Sequence, residues 1–455
     1  MTAMARITEP QHASAGRRLV VGLGATGRSC LQWLAGQGCP LRVVDSRDLP
    51  PEHAVLETLR PRPDARFGTL NPGVLEGVAE VVVSPGVPLD DPLIAAARVA
   101  GIPVVGDIEL FARAVSRPVA AITGSNGKST VTSLVAAMAR AAGRETLAGG
   151  NLGPPALDLL AERAPDLYVL ELSSFQLELT RSLRPRAAVV LNVSADHIDR
   201  HGSMDRYAAV KGRIYAHADV AVVNRGDAVA SALVPAGTPA VSFGLDAPPS
   251  DSDYGLISVD GERWLCRGGE RLMPAAAIPL PGSHNAANVL AAFAVGSALG
   301  LPDDAMAAAA AAFTGLPHRM CRVHRAGGVD WIDDSKATNV GAAAAALGGL
   351  DLPVILLAGG DAKGADLAPL AEAARGRIKA AVLLGRDAAR LESVLGGVAP
   401  VVRVATLEEA VDVAAGLAMP GDAVLLSPAC ASTDMFDDYR QRGEAFTRLA
   451  RKVTP

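Results

Sequence analysis

Thr123-Gly124-Ser125-Asn126-Gly127-Lys128-Ser129-Thr130 follows a short apolar run, residues 118–122, and precedes an apolar, Ala-rich run, residues 131–142. The first run predicts a strand and the second a helix. Strand, glycine loop, Lys-Ser and helix together make a phosphate cradle. Glycines let backbone N–H groups approach phosphate oxygens, and the helix N-terminus adds partial positive charge. Lys128 reaches the outer phosphates, and the hydroxyl of Ser129 or Thr130 can sit on Mg²⁺. The common phosphate-loop pattern needs a glycine five residues before Gly127, where this chain has Ile122. A glycine turn with an incidental lysine is the plainer alternative. Strand, loop and helix nevertheless fall in the order that phosphate binding requires.

The surrounding chain has 455 residues, 49% hydrophobic and 20% charged, which predicts about two to four domains with substantial cores. A net charge of −5 and the lack of a long basic run argue against nucleic acid as the main partner. The five cysteines are scattered and form no CxxC pair, so they read as cytosolic thiols, not as disulfides or a zinc site. Residues 1–16 form a polar lead without the apolar core of a signal peptide. No apolar run approaches the length of a membrane span. These features predict a cytoplasmic protein with no membrane partner. Of 43 basic residues only six are lysine, and four of those (128, 211, 336 and 363) lie in motifs. A chain that uses arginine this freely keeps lysine where an amine has a use that a guanidinium lacks.

Upstream, Gly22, Gly24 and Gly27 form GxGxxG after an apolar run, and Asp45 ends the next predicted strand. That spacing fits a dinucleotide, any nucleotide diphosphate, or simply a closely packed helix. Ser84-Pro85-Gly86-Val87 is a loop at a strand's carboxyl end, where open parallel sheets bind ligands. Downstream, Gly149-Gly150-Asn151 reads as a flexible loop. Glu171 ends the strand of Tyr168-Val169-Leu170, and another strand runs out into Asn192-Val193-Ser194-Ala195-Asp196-His197. Two such strand ends beside a phosphate loop suit Mg²⁺. The His197 to His201 spacing invites zinc, but the metalloprotease motif needs Glu where Ile198 stands. Lys211 sits among apolar neighbours on a predicted helix, and Asn285 and Asn288 are one helical turn apart. Strand–helix alternation resumes after about residue 316. It carries three polar loops at strand ends: Asp333-Asp334-Ser335-Lys336-Ala337-Thr338-Asn339, Gly359-Gly360-Asp361-Ala362-Lys363-Gly364 and Ser427-Pro428-Ala429-Cys430-Ala431-Ser432.

As an ordered set these motifs resemble the Mur ligases of bacterial cell-wall synthesis. The motifs are TGSNGKST, GGN, ELSSFQLE, NVSADHID, YAAVKGRIY, HNAAN, GLPHR, DDSKATN, GGDAKGAD and SPACAS, and they cover nearly the whole chain after the lead. The resemblance implies an α/β fold of three domains. A Rossmann-like UDP-substrate domain spans residues 17–106, a P-loop-type ATPase domain residues 107–315, and a Rossmann-like domain for the amino acid residues 316–455. It implies an ATP-dependent amide ligase, monomeric, that joins D-glutamate to UDP-N-acetylmuramoyl-L-alanine through an acyl phosphate.

The GxGxxG then becomes a uridine diphosphate cradle with Thr26, Asp45, Ser46, Arg47, Gly86 and Asn151 near it. ATP falls to Gly124, Ser125, Asn126, Gly127, Lys128, Ser129, Thr130, Asn285, Asn288, Arg319 and Asp334. Ser129 and Glu171 are implied to hold one Mg²⁺, and His197 to help hold a second. Lys211 matches a lysine that the family carries as a carbamate able to bind metal. Glutamate falls to Lys336, Thr338, Lys363, Ser432, Thr433 and Tyr439. Thr433 and Tyr439 depart from the leucine and phenylalanine expected of the family, which loosens that pocket. The rivals are a family member adding L-glutamate or another amino acid, a dehydrogenase fused to an ATPase-like module, and a non-catalytic nucleotide-binding regulator.

Overall fold

Runs of Val, Ile, Leu and Ala bounded by Gly and polar loops become mostly parallel strands along the whole chain. The computed structural model describes residues 16–280, 282–350 and 352–454, so the polar lead lies outside the described residues except for Gly16. The first segment contributes β1 (Arg17–Val21), β2 (Leu41–Asp45), β3 (Asp64–Phe67), β4 (Val78–Val83) and β5 (Val104–Val105). The central segment contributes β6 (Val119–Thr123), β7 (Thr146–Gly150), β8 (Leu167–Glu171), β9 (Ala187–Val190), β10 (Val220–Asn224), β11 (Ala240–Phe243), β12 (Tyr254–Val259), β13 (Glu262–Arg267) and β14 (Glu270–Pro274). The last contributes β15 (Cys321–Ala326), β16 (Val329–Asp333), β17 (Val354–Gly359), β18 (Ile378–Leu384), β19 (Val401–Arg403) and β20 (Ala423–Leu426). The fold is α/β throughout.

The described residues fall into two compact units. The first holds residues up to 123, 145–186 and 209–219. Its five-stranded sheet runs β3-β2-β1-β4-β5, entirely parallel. Such sheets are covered on both faces, which is why β1 ends in Leu19-Val20-Val21 and β4 in Val81-Val82-Val83. Leu19, Val21, Val81 and Val83 all point into one core with Ile94 and Ala97 of the helix Pro92–Val99. In the same unit β8 pairs in parallel with β6 on one side and β7 on the other. Residues 149–150, expected as a flexible loop, close β7 instead. A Cβ on Gly150 would lie 2.4 Å from the carbonyl oxygen of Glu171, and its φ is +98°. Glycine there permits the close approach of two strand ends.

The second unit holds residues 124–144, 187–208 and 220 onward. Strands β9, β10, β11 and β12 pair in parallel, and β12-β13-β14 continue antiparallel as a meander. Its six-stranded sheet runs β15-β16-β20-β17-β18-β19, parallel except for the edge hairpin β15-β16. Leu356, Leu383 and Leu425 point to one core of that sheet, and Leu357, Val382 and Leu426 to the other. The carboxyl ends of parallel strands in both units carry the polar loops, as open α/β sheets require of a binding crevice.

Candidate active site

In the first unit the three glycines of GxGxxG differ in what they permit. Gly22 has φ +90°, and a Cβ there would meet Ser84 and Val87 at 3.0 Å. A Cβ on Gly27 would lie 1.9 Å from the Gly22 carbonyl oxygen, so the helix Ala25–Gly36 could not seat against β1. Gly24 faces open space and lines a cavity of about 600 Å³. Thr26, Asp45, Ser46, Arg47, Gly86 and Asn151 all line that cavity, together with Gln176.

The Asp45 carboxylate is fully engaged. Oδ2 accepts from the Leu23 N–H at 2.7 Å and Arg47 Nη2 at 2.7 Å, and Oδ1 from Arg47 N–H at 2.9 Å and Nε at 2.8 Å. Burial works against the charge, but the Arg47 and Leu23 hydrogen bonds outweigh it and bring the carboxyl to about 2. A carboxylate so saturated has little capacity left to grip a ribose diol, the contact that a nicotinamide dinucleotide needs. It instead fixes Arg47, whose guanidinium is half-exposed at the cavity.

At the end of β8, Glu171 is 2% exposed. Its Oε1 accepts from Asn151 Nδ2 at 2.6 Å, and its Oε2 is buried with no hydrogen-bond partner among the described residues. A buried carboxylate oxygen left unmatched is costly unless a cation or donor arrives. It therefore suits an oxygen-preferring ion such as Mg²⁺. Lys211, 1% exposed, occupies the last turn of the helix Met204–Gly212.

In the second unit the phosphate loop enters the helix Lys128–Ala141 through Gly127, which is left-handed at φ +82°. A Cβ on Gly127 would stand 2.6 Å from Asn288 Oδ1, so only glycine lets Asn288 reach the loop. Asn126, Gly127, Thr130, Asn285, Asn288, Arg319 and Asp334 line one pocket. Gly124, Ser125, Lys128 and Ser129 belong to the same loop. Lys128 Nζ donates to the carbonyls of Gly124 and Ser125, both at 2.8 Å. Asn192 braces the loop by accepting from Asn126 N–H at 2.8 Å, and Ser125 Oγ lies 3.2 Å from the Tyr207 hydroxyl. Burial lifts that phenol to about 12 and keeps it neutral. Arg319 Nη2 donates to Ser129 Oγ at 2.8 Å. Asp334 accepts from Ser427 Oγ at 2.8 Å and from Met320 N–H at 3.2 Å, and burial pushes its carboxyl up to about 7.

His197 takes a left-handed conformation at φ 55° in the loop after β9, half-exposed, with Nε2 3.6 Å from Asp196. His201 is buried and packs on the Tyr207 ring, 5.2 Å between centroids. Among the described residues no group of three or more His, Cys, Asp or Glu side chains is placed to hold a metal.

Of the glutamate candidates, Lys336 lines the same pocket as Asn126 and Asn288 and stacks its amine 3.7 Å above the Tyr439 ring. Lys363 and Thr433 are exposed, Ser432 is buried and Thr338 is intermediate. The loops carrying Lys363 and Ser432 are joined by reciprocal hydrogen bonds between Asp361 and Ala431, at 2.9 and 2.8 Å. One residue that the motifs did not single out holds this region together. Arg442, 2% exposed on the helix Tyr439–Ala450, donates to the Ser335 hydroxyl and carbonyl and to the Gly359 and Cys430 carbonyls. It thereby ties all three C-terminal polar loops to one guanidinium. Its sequence context is one more arginine on an amphipathic helix, and carries no local signal.

The chain's likenesses agree with one another. Residues 16–106 match the family described as Mur ligase MurD-like, N-terminal domain; residues 122–296 match the Mur ligase middle domain; residues 318–430 match the Mur ligase glutamate ligase domain. A UDP-N-acetylmuramoylalanine–D-glutamate ligase of Nitrosococcus oceani is 51% identical over 98% of this chain and 99% of its own. The protein of the same name from Pseudomonas aeruginosa is 50% identical over 96% of this chain and 98% of its own. Among solved structures, UDP-N-acetylmuramate-alanine ligase of Thermotoga maritima shares the fold with a TM-score of 0.59 at 19% identity, covering 96% of this chain and 99% of that one.

Proposed function

This chain belongs to the Mur ligase family, and on that premise we propose that it uses ATP to join D-glutamate to UDP-N-acetylmuramoyl-L-alanine in peptidoglycan precursor synthesis. Its relatives of that printed name match at about half identity along nearly their full length. The observation that supports the ATP reading most is the convergence of the phosphate loop, Asn285, Asn288, Arg319 and Asp334 on one pocket. We assign the UDP moiety to the cavity of Gly24, Thr26 and Arg47. The enzyme acts in the cytoplasm as a monomer.

A carboxylate is a poor electrophile, and activation removes that difficulty. An alanyl carboxylate oxygen attacks the γ-phosphorus. The bond from that phosphorus to the β-bridging oxygen breaks, and its electron pair leaves with ADP. The glutamate amine then attacks the acyl carbon, the C–O bond to phosphate breaks, and the amine gives up a proton. Both partners of the first step are anionic, so positive charge must offset their repulsion. Lys128 and Arg319 supply it from this chain. Lys128 rests on the Gly124 and Ser125 carbonyls and Arg319 on the Ser129 hydroxyl, so both charges already sit at the loop.

The unmatched Glu171 Oε2 fits oxygen ligation of Mg²⁺; the family resemblance assigns Ser129 as a further Mg²⁺ ligand and His197 to a second ion. When bound, Mg²⁺ supplies charge neutralisation at the transferring phosphoryl group. Lys211 as a carbamate turns a buried cation into an anion suited to that ion. Arginine could not undergo this change. Lys336, Thr338, Lys363, Ser432, Thr433 and Tyr439 gather the glutamate carboxylates, on loops that Arg442 fixes. Release of ADP with UDP-N-acetylmuramoyl-L-alanine should require D-glutamate. Equal release with L-glutamate would favour the other family chemistry.

A further inference from the structure

Glu171 leads directly into a short strap, residues 173–182, within the first unit. Ser173 caps the helix Ser174–Leu177 in a reciprocal capping box with Gln176. The N–H groups of Glu178, Leu179 and Thr180 satisfy the Ser174, Gln176 and Leu177 carbonyls, and Arg213 takes carbonyls just beyond the helix. Its Nη1 donates to the Glu178 carbonyl at 2.9 Å and its Nη2 to the Thr180 carbonyl at 2.8 Å. Arg213 stands two residues past Lys211 and opens the turn Arg213–Tyr215, whose Ile214 and Tyr215 are buried.

The strap is itself anchored. Glu109 accepts from the Arg181 and Ser182 N–H groups at 2.7 and 2.9 Å. Asp107 accepts from Gln176 Nε2 at 2.9 Å. Both acids come from one helix, Asp107–Ala114. The strap that follows Glu171 is therefore fixed along its length, and Arg213 is a two-pronged tie from it to the turn that directly follows the helix carrying Lys211.

We infer that Arg213 is a positioning residue. It sets the Lys211 ε-nitrogen relative to Glu171 so that the carbamate forms and points correctly. This rests on the carbamate reading of Lys211 given above. A planar guanidinium with two parallel donors can chelate two carbonyls and resist rotation of the turn. A lysine in its place offers a point charge that fixes neither angle. Lys211 is buried, so a displaced turn is not corrected by solvent or by side-chain freedom. The modification itself balances simply. The neutral ε-amine forms an N–C bond to CO₂, one C–O π pair moves onto oxygen, and a proton passes to solvent.

The test compares the full-length protein with R213A, R213K and K211A. The carbamate is followed by ¹³C NMR during titration with ¹³C-bicarbonate, and steady-state kinetics are measured alongside. R213A should lose about 10²-fold in kcat, the cost of a misplacement of about 1 Å. KM for ATP and for the UDP substrate should stay within about threefold, because the lost interaction acts at the reacting centre. The bicarbonate needed for half-occupancy should rise about tenfold, and R213K should fall between R213A and the parent. If R213A does not fold, R213K carries the same comparison. A lowered melting temperature with unchanged bicarbonate half-point and kcat would make Arg213 merely structural and overturn the inference. An inactive K211A beside a fully active R213A would overturn the positioning role and leave the carbamate reading standing. A fully active K211A with no carbamate signal in the parent would overturn both.

Discussion

Arg319 Nη2 donates to the Ser129 hydroxyl at 2.8 Å although 190 residues of chain separate them. The phosphate loop is thus completed by a residue from the start of the chain's C-terminal segment. A charge-assisted hydrogen bond of this kind contributes about 1.5–3 kcal/mol. R319A should lower kcat/KM for ATP by about 10–100-fold. R319K should recover only part of that, since an ammonium cannot reproduce the fork. Unchanged ATP kinetics in R319A would remove Arg319 from the nucleotide site.

Asp45 lines the first-unit cavity and accepts from Arg47 and the buried Leu23 N–H. D45A frees both donors while leaving the phosphate loop untouched. KM for the UDP substrate should rise at least about tenfold, with kcat at saturation little changed, the pattern of lost uniform binding. Titration calorimetry should show UDP binding to the parent protein and no heat with NAD. An NAD affinity that D45A abolishes would restore the dinucleotide reading of GxGxxG.

The Asp334 carboxyl is raised to about 7 by burial, against the opposing pull of the Ser427 hydroxyl and Arg319. The folded chain therefore binds a proton that the unfolded chain, with an aspartate near about 3.9, has released. Its contribution to stability is complete below about pH 4 and is lost as pH rises through about 7. D334N cannot titrate, so its melting temperature should fall less than the parent's between those limits. Asp107, raised to about 6 by burial, titrates in both proteins and cancels from the comparison. Parallel melting curves across the window would show that Asp334 is already ionised.

Arg442 binds four buried acceptors on three loops, and burial brings its guanidinium down to about 10. R442A leaves those acceptors unmatched and should destabilise the protein by about 3 kcal/mol in chemical denaturation. At a temperature where the variant is folded, KM for glutamate should rise more than KM for ATP. Equal effects on both would mean that the loops do not form a separate glutamate site.

Much of the fold was legible because the strands that carry the polar loops end in motifs. β6, β8, β16, β17 and β20 are short apolar runs that stop at Gly, Glu, Asp or Ser-Pro, and their length and bounding residues identify them. β3 (Asp-Ala-Arg-Phe) is an edge strand whose composition carries no strand signal; it forms because β2 pairs with it. The loop around Gly127 was legible as a phosphate-binding motif, whereas GxGxxG around Gly24 leaves its ligand open without the family resemblance. Arg442, Glu109 and Arg213 were not legible. Their partners lie 107, 72 and 35 residues away in the chain, and each acts by fixing backbone, which leaves no mark on the local pattern.

The central claim is that this chain transfers phosphate to a carboxylate and not to water. UDP-N-acetylmuramoyl-L-alanine labelled with ¹⁸O in its alanyl carboxylate tests it most directly. One full turnover with ATP and D-glutamate should leave one ¹⁸O atom in each phosphate released, because the substrate oxygen stays on phosphorus when the amide forms. Phosphate carrying only solvent or ATP oxygen would contradict the acyl phosphate and leave the loop at 123–130 that of a hydrolase.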